Sequence, residues 1–148
     1  MPSNTESHPR ARASPSAAAS RDPGEGSEKA ASLFGRANAK RLAGDDTAAI
    51  ALYREIAERY PTTPQALMSE MALGKLLMSK GDAAGALSHF RRYANAGGPL
   101  GVEALWGEAD ALRALGRSNE EHRVLEKLLE RYPDSPYANT ARKRLGTP

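Results

Sequence analysis

One sequence segment occurs twice: residues 58–66 read ERYPTTPQA, and residues 130–138 read ERYPDSPYA. The two copies begin 72 residues apart, and three regularly spaced glycines indicate that this distance spans two repeats. The glycines are Gly44, Gly81 and Gly116, at intervals of 37 and 35 residues. The chain therefore contains three repeats of about 36 residues, a length typical of stacked helical units.

Each repeat is predicted to be a helix, a turn at the glycine, a second helix and a break. Glycine tolerates the positive φ that commonly ends a helix. Asp45 and Asp82 stand where they can cap the second helices of the first two repeats. Ser118 and Glu121 have the spacing of a capping box, which predicts the start of the second helix in the third repeat.

The breaks between repeats have their own signature. Thr63-Pro64 and Ser135-Pro136 each combine a hydroxyl that can cap a helix with a proline suited to the first turn. The repeats then cover about residues 28–61, 64–98 and 100–133. Residues 135–145 are predicted to form a seventh helix that covers the last repeat. Its basic run Arg142–Arg144 is interpreted as a solvated helix end.

Helical spacing separates the core positions from the rest. The predicted core comprises Tyr53, Ile56, Leu73, Leu77, Phe90, Tyr93, Leu105, Leu112, Leu125 and Leu128. Small residues stand seven positions before each turn glycine and, in two repeats, five positions after it: Ala37, Gly74, Ala109, Ala49 and Ala86. In the third repeat the second small position is occupied by Glu121.

This pattern resembles the tetratricopeptide repeat, in which small residues let paired helices approach closely. The resemblance covers residues 28–146. It implies an all-α fold, a right-handed array of three helix-turn-helix repeats plus a C-terminal capping helix. Glu121 departs from the family pattern and makes the packing of the third pair uncertain.

A narrower resemblance concerns the repeat endings and the middle repeat. The Tyr-Pro-x-Ser/Thr-Pro-x-Ala ending resembles a subgroup found in Gram-negative envelope proteins. The order of residues 73–77, 81–82, 97–100 and 103–105 is similar to the C-terminal domains of membrane-anchored anti-sigma (FecR-like) regulators. That similarity implies a periplasmic location if the chain is part of an anchored protein; otherwise a cytoplasmic location is expected.

Residues 1–27 differ from the repeats in composition. They contain four prolines and no Val, Ile, Leu, Phe, Tyr or Trp. Without apolar side chains to bury, such a segment cannot offset the entropy of ordering, and it is predicted to be a disordered linker or tail.

Composition also narrows the function. The chain has no cysteine, which excludes disulfides, thiolate nucleophiles and Cys-ligated zinc. Its net charge is only +3, with acids interspersed among the bases, so nucleic acid is not an expected partner. The sequence contains no apolar run of membrane-spanning length, so a soluble chain without direct membrane insertion is expected. His8 lies in the N-terminal segment, and His89 and His122 lie beside Arg91 and Arg123 with no cysteine or serine elbow to activate. We therefore expect no catalytic residue, metal or cofactor.

A second stripe on the first helix of the middle repeat is the candidate binding surface. Met68, Met71, Lys75 and Met78 follow at spacings of 3, 4 and 3 residues, away from the face of Leu73. Methionine in such a stripe is either a core filler or part of an adaptable surface. The family resemblance implies that these positions face a concave groove, to which we assign Phe34, Asn38, Arg41, Met68, Met71, Lys75, Met78, Glu103, Trp106, Asp110 and Arg113.

The sequence therefore predicts a non-catalytic scaffold that binds a peptide or helix of a protein partner in this groove. Two alternatives stay open. One is the envelope-side regulatory domain of an anti-sigma or signalling protein, and the other is a structural module that forms homo-oligomers.

Overall fold

The computed structural model describes residues 22–147, and every regular element in this range is an α-helix. The seven helices of this range are α1 Pro23–Leu42, α2 Asp46–Arg59, α3 Pro64–Ser79, α4 Ala83–Ala96, α5 Gly101–Ala114, α6 Ser118–Arg131 and α7 Ala138–Leu145. The predicted all-α architecture of three helix pairs and one final helix is confirmed.

The packing order gives the array its curvature. Each helix packs against the next one along the chain, from α1 to α7. The backbones of successive first helices also approach each other, α1 with α3 and α3 with α5, whereas the backbones of successive second helices lie farther apart. Because the first helices lie closer together than the second helices, the array is concave on the side of α1, α3 and α5.

The turns within the first two pairs follow the sequence signals. The turn glycines have φ values of 79° at Gly44, 82° at Gly81 and 70° at Gly116. Asp45 Oδ1 accepts a hydrogen bond from the N–H of Ala48 at 3.1 Å, and Asp82 Oδ1 accepts one from Gly85 at 2.9 Å. Both predicted caps are confirmed.

The first helix begins earlier than the sequence analysis placed it. Asp22 accepts a hydrogen bond from the N–H of Gly24 at 3.1 Å, and Pro23 occupies the first position of α1. Because this cap and proline satisfy the requirements of a helix start, residues 23–27 are helical, which corrects the boundary of the predicted disordered segment. The rest of that segment, residues 1–21, lies outside the described residues.

The predicted capping box of α6 is wrong. The residue before α6 is Arg117, and no side chain caps the helix. Ser118 is already helical, and Glu121 bonds instead to Arg144 of α7. The backbone N–H of Glu121 donates to the carbonyl of Arg117 at 3.0 Å, so the helix starts one residue earlier than the capping box predicted.

The final helix, in contrast, begins later than predicted. Thr63 does cap α3, with its Oγ1 3.2 Å from the N–H of Ala66. The corresponding Ser135 does not cap α7, and its Oγ is buried without a hydrogen-bond partner among residues 22–147. The backbone N–H of Ser135 donates to Tyr132 and its carbonyl accepts from Ala138, so this segment forms a turn and α7 starts at Ala138.

The core follows the predicted helix faces. The buried residues include Tyr53, Ile56, Leu73, Leu77, Phe90, Tyr93, Leu105, Leu112, Leu125 and Leu128. The small positions Ala37, Ala49, Ala86 and Ala109 are all 0% exposed. Close helix packing at these positions is therefore present, and it positions the first helices side by side along the concave surface.

Candidate functional site

The concave surface holds two pockets, formed by the first helices of adjacent pairs. The N-terminal pocket has a volume of about 370 Å³ and is lined by Phe34, Asn38, Arg41, Tyr53, Met68, Met71, Ala72, Lys75, Leu76 and Leu100. The C-terminal pocket has a volume of about 240 Å³ and is lined by Lys75, Met78, Phe90, Glu103, Trp106, Gly107, Asp110 and Tyr137. Lys75 borders both, so the two pockets adjoin.

Ten of the eleven residues assigned to the groove from the sequence lie around them, and the exception is Arg113, which is exposed at the end of α5.

The N-terminal pocket has an apolar floor with one polar pair. The hydroxyl of Tyr53 donates to Asn38 Oδ1 at 2.5 Å, and the rings of Phe34 and Tyr53 meet edge to face at 5.7 Å. Tyr53 is fully buried, so this bond supplies the partner that its hydroxyl needs. The Asn38 side chain is therefore held in place by the core, which leaves a preformed wall.

The two methionines of this pocket have different roles. Met71 is only 4% exposed and belongs to the hydrophobic core. Met68, one turn earlier, is 50% exposed. The assignment of Met71 to an accessible groove floor is corrected, because α3 is packed between neighbouring helices and position 71 faces them. Met68 is the exposed apolar side chain of this pocket.

Four residues that line the N-terminal pocket were not assigned to the groove from the sequence: Tyr53, Ala72, Leu76 and Leu100. Tyr53 reaches the pocket from α2, behind the first helices, and Leu76 lines it although its position falls outside the methionine stripe. Leu100 precedes α5 and is held by a hydrogen bond from its backbone N–H to the hydroxyl of Tyr93 at 3.0 Å. No periodic signal identifies Leu100, since it lies in the loop between two repeats.

Gly107 lets α5 pack closely against Phe90 in the wall of the C-terminal pocket. A Cβ atom on Gly107 would lie 2.6 Å from Cε1 of Phe90, so the ring of Phe90 approaches the bare backbone of α5. Trp106 beside it is stacked on Tyr137, with ring centroids 4.9 Å apart. The guanidinium of Arg144 lies 4.7 Å from the centroid of Trp106. The predicted open Trp106 floor is therefore half-buried under side chains from the C-terminal segment.

Arg144 also changes the assignment of two charged residues. Its side chain is 9% exposed and contacts Asp110 at 2.7 Å and Glu121 at 2.6 Å. The interpretation of Arg144 as part of a solvated helix end is wrong, because it fills the space between α5, α6 and α7. Asp110, assigned to the groove edge, is already neutralised by this arginine.

Arg41 and Lys75 are in a different position. Both are exposed beside the N-terminal pocket, and neither side chain forms an ion pair within residues 22–147. None of the residues that line this pocket is acidic. The N-terminal pocket thus combines apolar walls with two cations that have no counter-charge in the described chain.

A separate charge network lies away from both pockets. Arg91 bonds to Glu108 at 2.8 Å and to Glu120 at 3.2 Å, and Glu120 also bonds to Arg117 at 2.7 Å. The hydrogen bond that Arg91 donates to Glu108 raises the pKa of Arg91, and the hydrogen bond that Arg117 donates to Glu120 lowers the pKa of Glu120. The network joins α4, α5 and α6, and its hydrogen bonds and ion pairs account for both pKa shifts.

The two histidines of residues 22–147, His89 and His122, belong to no cluster of potential metal ligands. His89 Nδ1 lies 2.6 Å from Glu70 and is mostly buried, whereas His122 is exposed. Within residues 22–147 no three potential ligands cluster as a metal site requires. Among the helices in this range, none combines the length and the apolarity needed to cross a bilayer.

Stacked helix pairs with an open inner surface define a helical-repeat scaffold. Sequence models of the tetratricopeptide repeat match residues 31–63 and residues 71–136. These matches together cover more than half of the chain, and the chain belongs to the tetratricopeptide repeat family. Repeats of this family generally mediate protein–protein interaction and are typically non-catalytic. No curated protein matches the chain.

Proposed function

We propose that this protein is a non-catalytic scaffold that binds a peptide or helix of a protein partner along its concave surface. The N-terminal pocket is the observation that carries the proposal. It is open, predominantly apolar and about 370 Å³ in volume, and Met68 is half-exposed at its edge. Flexible methionine beside aromatic side chains is suited to receive an apolar side chain of another protein.

Binding of such a segment requires little ordering of the scaffold. The walls of the pocket are fixed by buried side chains, including Tyr53 and its bond to Asn38. A partner segment would lose conformational freedom on binding, whereas the array would lose almost none. This preorganisation supports recognition of a short segment.

Site-specific photo-crosslinking tests the proposal. A photoreactive phenylalanine analogue is placed at Met68 of the full chain, and a matched variant carries it at Arg54, an exposed position on α2. In the native cells, position 68 should give an adduct of defined mass that position 54 does not give. Equal adducts from both positions, or adducts from position 54 alone, would contradict binding in the groove.

The envelope-side role in an anti-sigma system remains a hypothesis based on the sequence resemblance. In that role, the partner would be another protein of the same signalling system. Self-assembly is the remaining alternative, and the crosslinking experiment tests it as well, because an adduct of twice the chain mass from position 68 would identify a second copy as the occupant.

A further inference from the structure

Each of the three first helices carries an exposed cation in its C-terminal half. Arg41 of α1 and Arg113 of α5 each stand three residues before a turn glycine, and Lys75 of α3 stands six residues before one. All three side chains are exposed. None of them forms an ion pair or a side-chain hydrogen bond within residues 22–147, in contrast to Arg144 on α7.

Two acidic residues that follow the first turn glycine form ion pairs with other lysines. Asp45 lies 3.7 Å from Lys40, and Asp46 lies 3.4 Å from Lys80. The N-terminal pocket itself has no acidic lining residue. Within the N-terminal pocket, the positive charge of Arg41 and Lys75 therefore has no acidic lining residue to compensate it.

The adjoining C-terminal pocket, which Lys75 also borders, contains two acidic residues. Glu103 lines the C-terminal pocket and has no ion-pair partner among residues 22–147. Asp110 in the same pocket is paired with Arg144. An acidic segment is thus attracted over α1 and α3 and repelled at Glu103, which restricts where its carboxylates can lie.

We propose that the partner segment is an acidic, amphipathic peptide, an inference that rests on the groove function proposed above. Its apolar side chains enter the N-terminal pocket beside Met68, and its carboxylates contact Arg41 and Lys75. Charge-assisted hydrogen bonds to both cations would fix the position of the segment, and the apolar contacts would supply most of its affinity.

A random peptide library displayed on phage provides the probe, with the full chain as bait. Peptides are selected on the parent protein, and binding of each isolate is then measured by fluorescence anisotropy. Three variants are compared: Arg41→Glu with Lys75→Glu, Met68→Asp, and the control Arg36→Glu with Arg54→Glu. The control reverses the same number of exposed charges away from both pockets.

Enriched peptides should combine acidic and apolar residues. Their affinity should fall about tenfold or more in the Arg41/Lys75 variant, hold in the control variant, and weaken at high salt. Neutral or basic peptides that lose binding in Met68→Asp but not in the Arg41/Lys75 variant would overturn the acidic partner and leave the groove function intact. If the selected peptides bound all three variants as tightly as the parent, the proposed groove function itself would be overturned.

Discussion

A Cβ atom added to Gly74 would lie 2.7 Å from Cε1 of Phe90, so the ring of Phe90 rests on the bare backbone of α3. Real Cβ contacts are almost never this short. The ring cannot retreat toward α5, because a Cβ on Gly107 would meet the same Cε1 atom at 2.6 Å. Phe90 is thus held between two glycines on neighbouring first helices, and its position couples the packing of α3, α4 and α5.

We therefore expect Gly74→Ala to destabilise the protein by about 1–3 kcal/mol, the usual cost of overpacking a filled core. Urea unfolding of parent and variant measures this difference. Gly35→Ala is the matched control, since its added Cβ meets nothing within 4 Å and Gly35 lies inside α1. That control should gain roughly 0.5–1 kcal/mol from helix propensity. A Gly74→Ala protein as stable as the parent would contradict the described contact.

The two methionines of the N-terminal pocket should respond oppositely to a charge. Met71→Glu buries an unpaired carboxylate at a position that is 4% exposed and should cost several kcal/mol or prevent folding. Met68→Glu, at a position that is 50% exposed, should stay within about 1 kcal/mol of the parent. Helical circular dichroism and thermal melting distinguish the two. A stable Met71→Glu protein would return Met71 to the accessible groove surface.

The contrast between Met71 and Met68 shows which part of the site could be predicted from the sequence. Helical periodicity places side chains on a face of one helix, but it does not say how much of that face the neighbouring helices cover. The turn at Gly81 and the cap at Asp82 depend on a few adjacent residues, so they were predicted correctly. The exposure of Met71 depends on neighbouring helices, which the pattern does not specify.

Glu121 illustrates the same limit in the third pair. At this position the first two pairs have fully buried alanines, and the larger side chain is accommodated because Arg144 reaches it from α7. The two residues are separated by 23 positions. Nothing in the local sequence around Glu121 indicates this partner, and the capping box at Ser118 was the nearest local alternative.

The pair of Arg144 and Glu121 should be strongly coupled. Their side chains are 9% and 10% exposed, so Arg144→Met leaves a buried carboxylate without its partner and should cost about 3–5 kcal/mol. Combining Arg144→Met with Glu121→Ala should recover a large part of that loss. Urea titration of the single and double variants gives the coupling free energy. Additive effects of the two substitutions would show that the pair does not interact in solution.

The same arginine should control access to the only tryptophan. Arg144 lies 4.7 Å from the ring centroid of Trp106, and Tyr137 stacks on that ring. We expect Arg144→Met to retain the Tyr137 contact but to increase quenching of Trp106 fluorescence by acrylamide. Arg142→Met is the control, since Arg142 bonds to Asn139 and to the carbonyl of Pro133 instead. Equal quenching in parent and Arg144→Met would contradict the shielding role.

Acid should weaken the network around Glu120 in a defined direction. The hydrogen bond from Arg117, assisted by Arg91, lowers the pKa of Glu120 below its ordinary value. The folded state therefore binds this proton less readily than the unfolded chain. The resulting stabilisation is complete above the ordinary glutamate pKa of about 4.3 and is lost as the pH falls through the lower pKa of the folded state.

Glu120→Gln removes this titration and keeps a side chain that can still accept hydrogen bonds from Arg117 and Arg91. Its melting temperature should fall less than that of the parent when the pH is lowered from neutral to below the ordinary glutamate range. Glu126→Gln on the exposed side of α6 is the control, because Glu126 forms no ion pair within residues 22–147. It should follow the parent. If acidification lowered the melting temperatures of Glu120→Gln, Glu126→Gln and the parent by the same amount, the bonds from Arg117 and Arg91 would not persist in solution.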